Sequence, residues 1–117
     1  MVKLKHINND VVINEIEMHE GTFTIGRNSS NDLQLNDAVV SGQHAVLMFK
    51  PNDYLPEMFD MTIRDLDSTN GTYVNNAMIK EQKIKHDDSI RIGNHEFKIF
   101  DDQADIGAQT EFYVPED

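Results

Sequence analysis

Asp65-Leu66-Asp67-Ser68-Thr69-Asn70-Gly71-Thr72 is the stretch on which the fold of this sequence turns. Asn-Gly is a strong turn signal, because Gly, and to a lesser degree Asn, tolerates positive φ. Two apolar-alternating runs flank it, Met61-Thr62-Ile63-Arg64-Asp65-Leu66 before and Thr72-Tyr73-Val74 after. The pattern predicts a loop tip held up by strands on either side, with Ser68, Thr69 and Asn70 presented together. Hydroxyls, amides and free backbone N–H groups at such a tip suit an oxyanion or a peptide backbone. The meaning of the loop depends on what else in the chain converges on it.

The chain has 117 residues, enough for one domain with a modest core. No apolar run approaches the ~18 residues of a membrane helix. The first residues, Met1-Val2-Lys3-Leu4-Lys5-His6, alternate like a strand and lack the apolar core of a signal peptide. There are no cysteines, which excludes disulfides and thiolate metal sites. A cytoplasmic location is expected. The net charge of −11 opposes nucleic acid and anionic membranes, which need positive patches. One local cationic site is still compatible with it, since exposed charges beyond about 8 Å are largely screened.

Outward from the central loop, short strand patterns fill the chain. Lys3–Ile7 alternates with period 2, Asn8-Asn9-Asp10 turns, and Val11-Val12-Ile13 reads as an ordinary core strand. Phe23 and Ile25 share a face in a strand that ends at Gly26-Arg27. Leu33-Gln34-Leu35 is short and alternating, and His44 opens an apolar strand through Phe49. Residues 50–60 contain Pro51 and Pro56 and predict a long surface connection, with Tyr54, Leu55, Met58 and Phe59 tucked onto a sheet edge. Gly93-Asn94 signals a hairpin before Glu96–Phe100. No window carries a helical apolar stripe. Short strands separated by frequent turn signals predict an all-β sandwich or barrel. From Asp101 the composition turns acidic and pattern-free, as in a flexible tail.

Each candidate site has a plain reading beside the chemical one. Arg27 enters a loop at a strand end, where its planar fork of donors matches phosphate or carboxylate oxygens. An isolated surface Arg more often pairs with a neighbouring carboxylate. Ser41-Gly42-Gln43-His44 lacks the elbow and the acid of a Ser–His hydrolase. A small hydrolase is therefore rejected, and no catalytic residues are expected. Asp65-x-Asp67 invites a calcium loop, but position six would be Asn70 and position twelve Asn76, so calcium is rejected too. His6, His19, His86 and His95 are scattered without ligand spacing; neither metal nor cofactor is expected.

Three signals in order, Gly26-Arg27, Ser41-x-x-His44 and Ser68-Thr69-Asn70-Gly71-Thr72, closely resemble the forkhead-associated (FHA) domain, a phosphothreonine-binding module. Asn31-Asp32-Leu33-Gln34-Leu35, Tyr73-Val74-Asn75 and Asp87–Gly93 fit the same pattern. The resemblance spans residues 2–100. It implies a β-sandwich of about eleven mostly antiparallel short strands with binding loops at one end. The expected organisation is an FHA domain over 1–100 and an acidic C-terminal tail over 101–117.

The resemblance also implies roles. Arg27 would pair with phosphate oxygens, Ser41 would donate its hydroxyl to them, and Thr69 would add a hydroxyl or backbone contact. Asn70 would bond the peptide main chain. His44 would tie two binding loops together, with Gly26 and Gly71 serving backbone geometry. Gly42 stands where many members carry a polar side chain that touches the peptide. Val39 stands where some carry a base, which predicts an apolar preference three residues after the phosphothreonine. The implied function is a non-catalytic phosphothreonine-peptide-binding adaptor in Ser/Thr kinase-linked signalling, its partner a phosphothreonine-containing protein or peptide, either a Ser/Thr kinase or its substrate. The alternative is a phosphate-independent scaffold or oligomerisation module using a sheet face or edges. Thr110-Glu111-Phe112-Tyr113 adds an option for self-association: phosphorylated Thr110 would occupy the chain's own cleft or a neighbour's.

Overall fold

Alternation in the sequence becomes burial in the structure. In β1 (Val2–Asn8), Val2 and Leu4 are buried and Lys3 and Lys5 lie half-exposed on the other face. The computed structural model describes residues 1–104. The remaining strands are β2 (Val11–Met18), β3 (Gly21–Gly26), β4 (Leu33–Gln34), β5 (Ala45–Pro51), β6 (Phe59–Asp65), β7 (Thr72–Val74), β8 (Ala77–Ile79), β9 (Glu81–Ile84), β10 (Ser89–Ile92) and β11 (His95–Asp101). They form two sheets, ordered β2-β1-β11-β10-β7-β8 and β4-β3-β5-β6-β9. The short β3–β4 pair is parallel; the other ladders are antiparallel. The expected all-β sandwich of about eleven strands is what the chain forms. Leu4, Ile25, Leu47, Ile63, Ile90, Ile92 and Phe97 are fully buried between the sheets.

Register aligns the loops at one end. Ile25 pairs with Ala45, and Ala45 with Asp65. The loops after β3, before β5 and after β6 therefore leave from one level of the same sheet. The β6–β7 loop that carries Asn70-Gly71 crosses between sheets, because β6 and β7 belong to different ones. Tight hairpin turns are elsewhere. Asn9 and Asp10 have φ of 52° and 65°, and Asn75 and Asn76 have 49° and 70°. The second pair joins β7 to β8.

Several expectations need correction. Val11-Val12-Ile13 is strand but not core: the three residues are 60%, 43% and 55% exposed. β-branched side chains select extended backbone, whereas burial needs a facing layer, and β2 is an edge strand past a bulge between His6 and Ile7. In the 50–60 connection, Phe59 packs edge-on against Phe49, but Tyr54 and Leu55 stand out in solvent. The last strand also runs past residue 100. Asp101 is buried in β11, and the Asp102 N–H donates to the Met1 carbonyl at 3.2 Å. Thr110 and its neighbours lie outside the described residues.

Candidate functional site

Two loops from the five-stranded sheet meet the β6–β7 loop, and each joint is a hydrogen bond. Arg27 N–H donates to the Ser41 carbonyl at 2.9 Å, and Asn28 N–H to the Gly42 carbonyl at 3.1 Å. The Asn31 amide nitrogen donates to the carbonyls of Asn28 and Gly42 at 2.9 and 2.7 Å. The two loops approach so closely that a Cβ on Gly26 would stand 2.3 Å from the Gly42 carbonyl oxygen. A glycine at 26 is therefore a packing requirement. A Cβ on Gly42 would in turn meet the Asn28 amide nitrogen at 2.8 Å. The Asn28 side chain thus fills the space that a larger residue at 42 would take.

His44 is fully buried at the junction. Its Nδ1 accepts the Ser41 N–H at 3.0 Å, which places the proton on Nε2, and Nε2 faces the Gly71 carbonyl at 2.9 Å. One imidazole so spans the Ser41 loop and the Asn70-Gly71 loop.

The β6–β7 loop is built around Asp65, a buried carboxylate. Its Oδ1 accepts hydroxyl hydrogens from Ser68 and Thr72, the latter at 2.7 Å, and Oδ2 accepts the Ser68 N–H at 3.1 Å. Burial raises the Asp65 pKa, but the Ser68 and Thr72 bonds outweigh it, so the pKa lies below the ordinary aspartate value. Ser68 is therefore turned inward, and its Oγ also accepts the Gly71 N–H at 2.9 Å. It is not presented at the tip as the sequence pattern predicted. Asp65 and Asp67 serve loop geometry: Asp67 has φ +57° and Gly71 has φ +89°. Among the described residues no cluster of three or more His, Cys, Asp or Glu could hold a metal ion.

Around this frame lies a cleft of about 250 Å³ lined by Arg27, Ser41, Thr69 and Asn70, with Val39 and Gly42 beside them. Ser41 Oγ accepts the Thr69 N–H at 3.0 Å, which leaves its own hydroxyl hydrogen free to donate. Asn70 turns its amide nitrogen to the Val39 carbonyl at 2.9 Å, leaving its oxygen as an open acceptor. Arg27 is exposed, and among the described residues its guanidinium forms no salt bridge. The residue pattern had not singled out Asn28, Asn31 or Asp65 as site-builders. The one available signal was local, Asp65 at three residues before Ser68 in an Asx-type turn.

Comparison with known proteins agrees with this architecture. The family model described as FHA domain matches residues 23–93. FhaA of Mycobacterium tuberculosis, an FHA domain-containing protein, is 35% identical over 80 residues, covering 68% of this chain and 14% of FhaA. The chain spans less than half the length of the curated relatives it matches. A structure from an analysis of phosphothreonine-dependent FHA domain interactions superposes with a TM-score of 0.72 at 30% identity, over 86% of this chain and 95% of that one. Mycobacterium tuberculosis EmbR in complex with a low-affinity phosphopeptide gives 0.70 at 29% identity, over 85% and 24% of the two chains. With a family match over more than half its length and this sandwich beneath it, the chain belongs to the FHA domain family.

Proposed function

We propose that the cleft binds a phosphothreonine peptide and that the chain acts as a non-catalytic adaptor in cytoplasmic signalling linked to a Ser/Thr kinase. The observation that carries this reading is the Arg27 guanidinium, without a salt bridge among the described residues, beside the Ser41 hydroxyl, in a chain with 21 Asp and Glu residues. A cation with no carboxylate partner among the described residues, at the rim of a cleft with an available donor, suits an exogenous anion. A phosphothreonine brings about −1.5 to −2 charges and three acceptor oxygens. Arg27 and Ser41 would hold them, with Thr69 beside Ser41 and the Asn70 oxygen free for a peptide N–H. Catalysis is not part of the reading: His44 has both nitrogens committed to backbone groups, so it offers no base to the cleft. The similar structures studied with phosphothreonine-dependent interactions and with a phosphopeptide support the same ligand class.

Fluorescence-anisotropy titration with a degenerate phosphothreonine peptide tests this. Micromolar-class binding, about −8 kcal/mol, is expected. It should vanish with the unphosphorylated peptide and with Arg27→Ala, and weaken with phosphoserine. Phosphate-independent binding, or none by a folded protein, would overturn it. The exposed Val11-Val12-Ile13 on an edge strand favours a second reading, a scaffold that self-associates, which a sizing column distinguishes by a concentration-dependent mass. Engagement of the cleft by phosphorylated Thr110 belongs to the first reading, and mass spectrometry after kinase treatment would detect the modification it needs.

A further inference from the structure

Behind the cleft runs a line of polar groups that the phosphate contacts do not use. His6 on β1 and His95 on β11 face each other, with His6 Nε2 3.1 Å from His95 Nδ1. The His6 ring stacks on Phe97 at 4.5 Å between centroids. The pair borders a recess of about 190 Å³ that also touches Asn94. His95 Nε2 lies 3.5 Å from Asp37 Oδ2, and that oxygen also accepts the Asn94 N–H at 3.2 Å. Asp37 Oδ1 accepts the Val39 N–H at 3.1 Å, and its main-chain carbonyl accepts the Val40 N–H at 2.9 Å.

Asp37 thus fastens the β10–β11 turn of one sheet to the loop that carries Ser41 on the other. The Val39 carbonyl receives the Asn70 amide, and Val39 through Ser41 form one wall of the cleft. Contact is tight: a Cβ on Gly93 would stand 2.7 Å from Val40 Cγ2 and 3.1 Å from Asp37 Oδ2.

The groups facing the histidine pair are few. Asp37 approaches from the loop and Asn94 from the turn; Asn14 on β2 is opposite His6, and Ile92 on β10 is opposite His95. Among the described residues, Asp37 is the carboxylate within salt-bridge distance of either ring. With Nε2–H of His95 directed at Asp37, its Nδ1 accepts from His6 Nε2–H, so two neutral rings relay donors toward the carboxylate. The pair holds one added proton in its relay beside Asp37. A second sets two imidazolium rings in contact and forces them apart.

Burial first, and then the charge of His95, hold the His6 pKa below the ordinary histidine value. The Val39 and Asn94 N–H groups hold Asp37 below the usual carboxylate range, so it stays ionised while His6 titrates. His6 is thus favoured neutral in the folded arrangement. That contribution is complete above the unfolded histidine value of about 6.5 and is lost as pH falls from there through the folded one.

We propose that Asp37 is a positioning residue for the cleft, and that the His6–His95 pair acts through it to make phosphopeptide affinity fall on acidification beyond the phosphate's own titration. This rests on the phosphothreonine reading above. The test combines two measurements between pH 7.5 and 5.5 on wild type and His6→Gln, in which the amide keeps a donor to His95 but does not titrate. The first is the amide spectrum of the free protein; the second is anisotropy with a phosphothreonine peptide.

In wild type the Val39 and Asn94 amide signals should move with the His6 ring signals, and Kd should rise about fivefold more than in His6→Gln. At pH 7.5 the two proteins should bind alike, while Asp37→Ala should bind weakly at every pH. Equal pH slopes in wild type and His6→Gln, or Val39 and Asn94 signals indifferent to pH, would overturn the coupling. If His6→Gln does not fold, His95→Gln supplies the non-titrating comparison. Absence of any binding by wild type at pH 7.5 would be a failure of the cleft reading, and the amide titration of the free protein would still decide the coupling.

Discussion

His44 fills no part of the cleft, yet both loops that form it hang on its ring. Replacing it with Ala leaves the Ser41 N–H and the Gly71 carbonyl without partners in a fully buried place. An unsatisfied buried group costs about 1–3 kcal/mol, so His44→Ala should lose about 3 kcal/mol in a urea unfolding series. A loss below about 1 kcal/mol would mean that water replaces the ring cheaply and that the tie is not structural. Gly26 is the complementary case, a residue whose value is the absence of a side chain. At the same scale the residue pattern misjudged Ser68, because a hydroxyl at a predicted loop tip turns inward once a buried carboxylate is there to receive it.

At the scale of the element, the β6–β7 loop is a short segment organised by one anion. Asp65 collects Ser68 and Thr72, and its pKa is depressed because those bonds overcome the opposing effect of burial. A depressed carboxylate contributes stability that is complete above the unfolded aspartate value, about 3.9. The contribution is lost as pH falls through the lower, folded value. Thermal unfolding between pH 5 and pH 2.5 should therefore show a steeper acid decline in wild type than in Asp65→Asn. Identical slopes would assign the decline to Asp88, Asp37 and Asp102, whose pKa values are also lowered, Asp88 by its Asn75 and Lys85 bonds against burial, Asp37 chiefly by the Val39 and Asn94 N–H groups and Asp102 chiefly by the Met1 ammonium. The edge strand β2 shows the other side of element-level reading: Val11-Val12-Ile13 is strand by composition, and its exposure is a property of the sheet edge.

At the scale of the whole molecule, a net charge of −11 surrounds one cationic cleft. On the proposed reading, long-range repulsion slows the approach of an anionic peptide, while contacts to Arg27 would act at short range. Raising salt screens the first more than the second. Stopped-flow association with a phosphopeptide carrying acidic flanks should accelerate with ionic strength, and the same peptide with neutral flanks should respond less. A uniform slowing would show that local attraction at Arg27 governs encounter. Strand patterning and the turn residues were readable from the chain, because period-2 burial and turn chemistry are local consequences of residue type; the motifs around Arg27, Ser41 and Asn70 were readable through their resemblance to the FHA family. The sequence by itself determined the sandwich class, and its resemblance to the FHA family named Arg27, Ser41, Thr69 and Asn70, four of the residues that line the cleft. Tertiary structure alone decided that the Asn70-Gly71 loop crosses between sheets, that Asn28 covers Gly42, that Asp65 anchors its loop, and that His6 and His95 meet behind Asp37. These contacts join residues from separate loops and sheets, and no local preference encodes which distant partner a polar side chain will find when the sheets close.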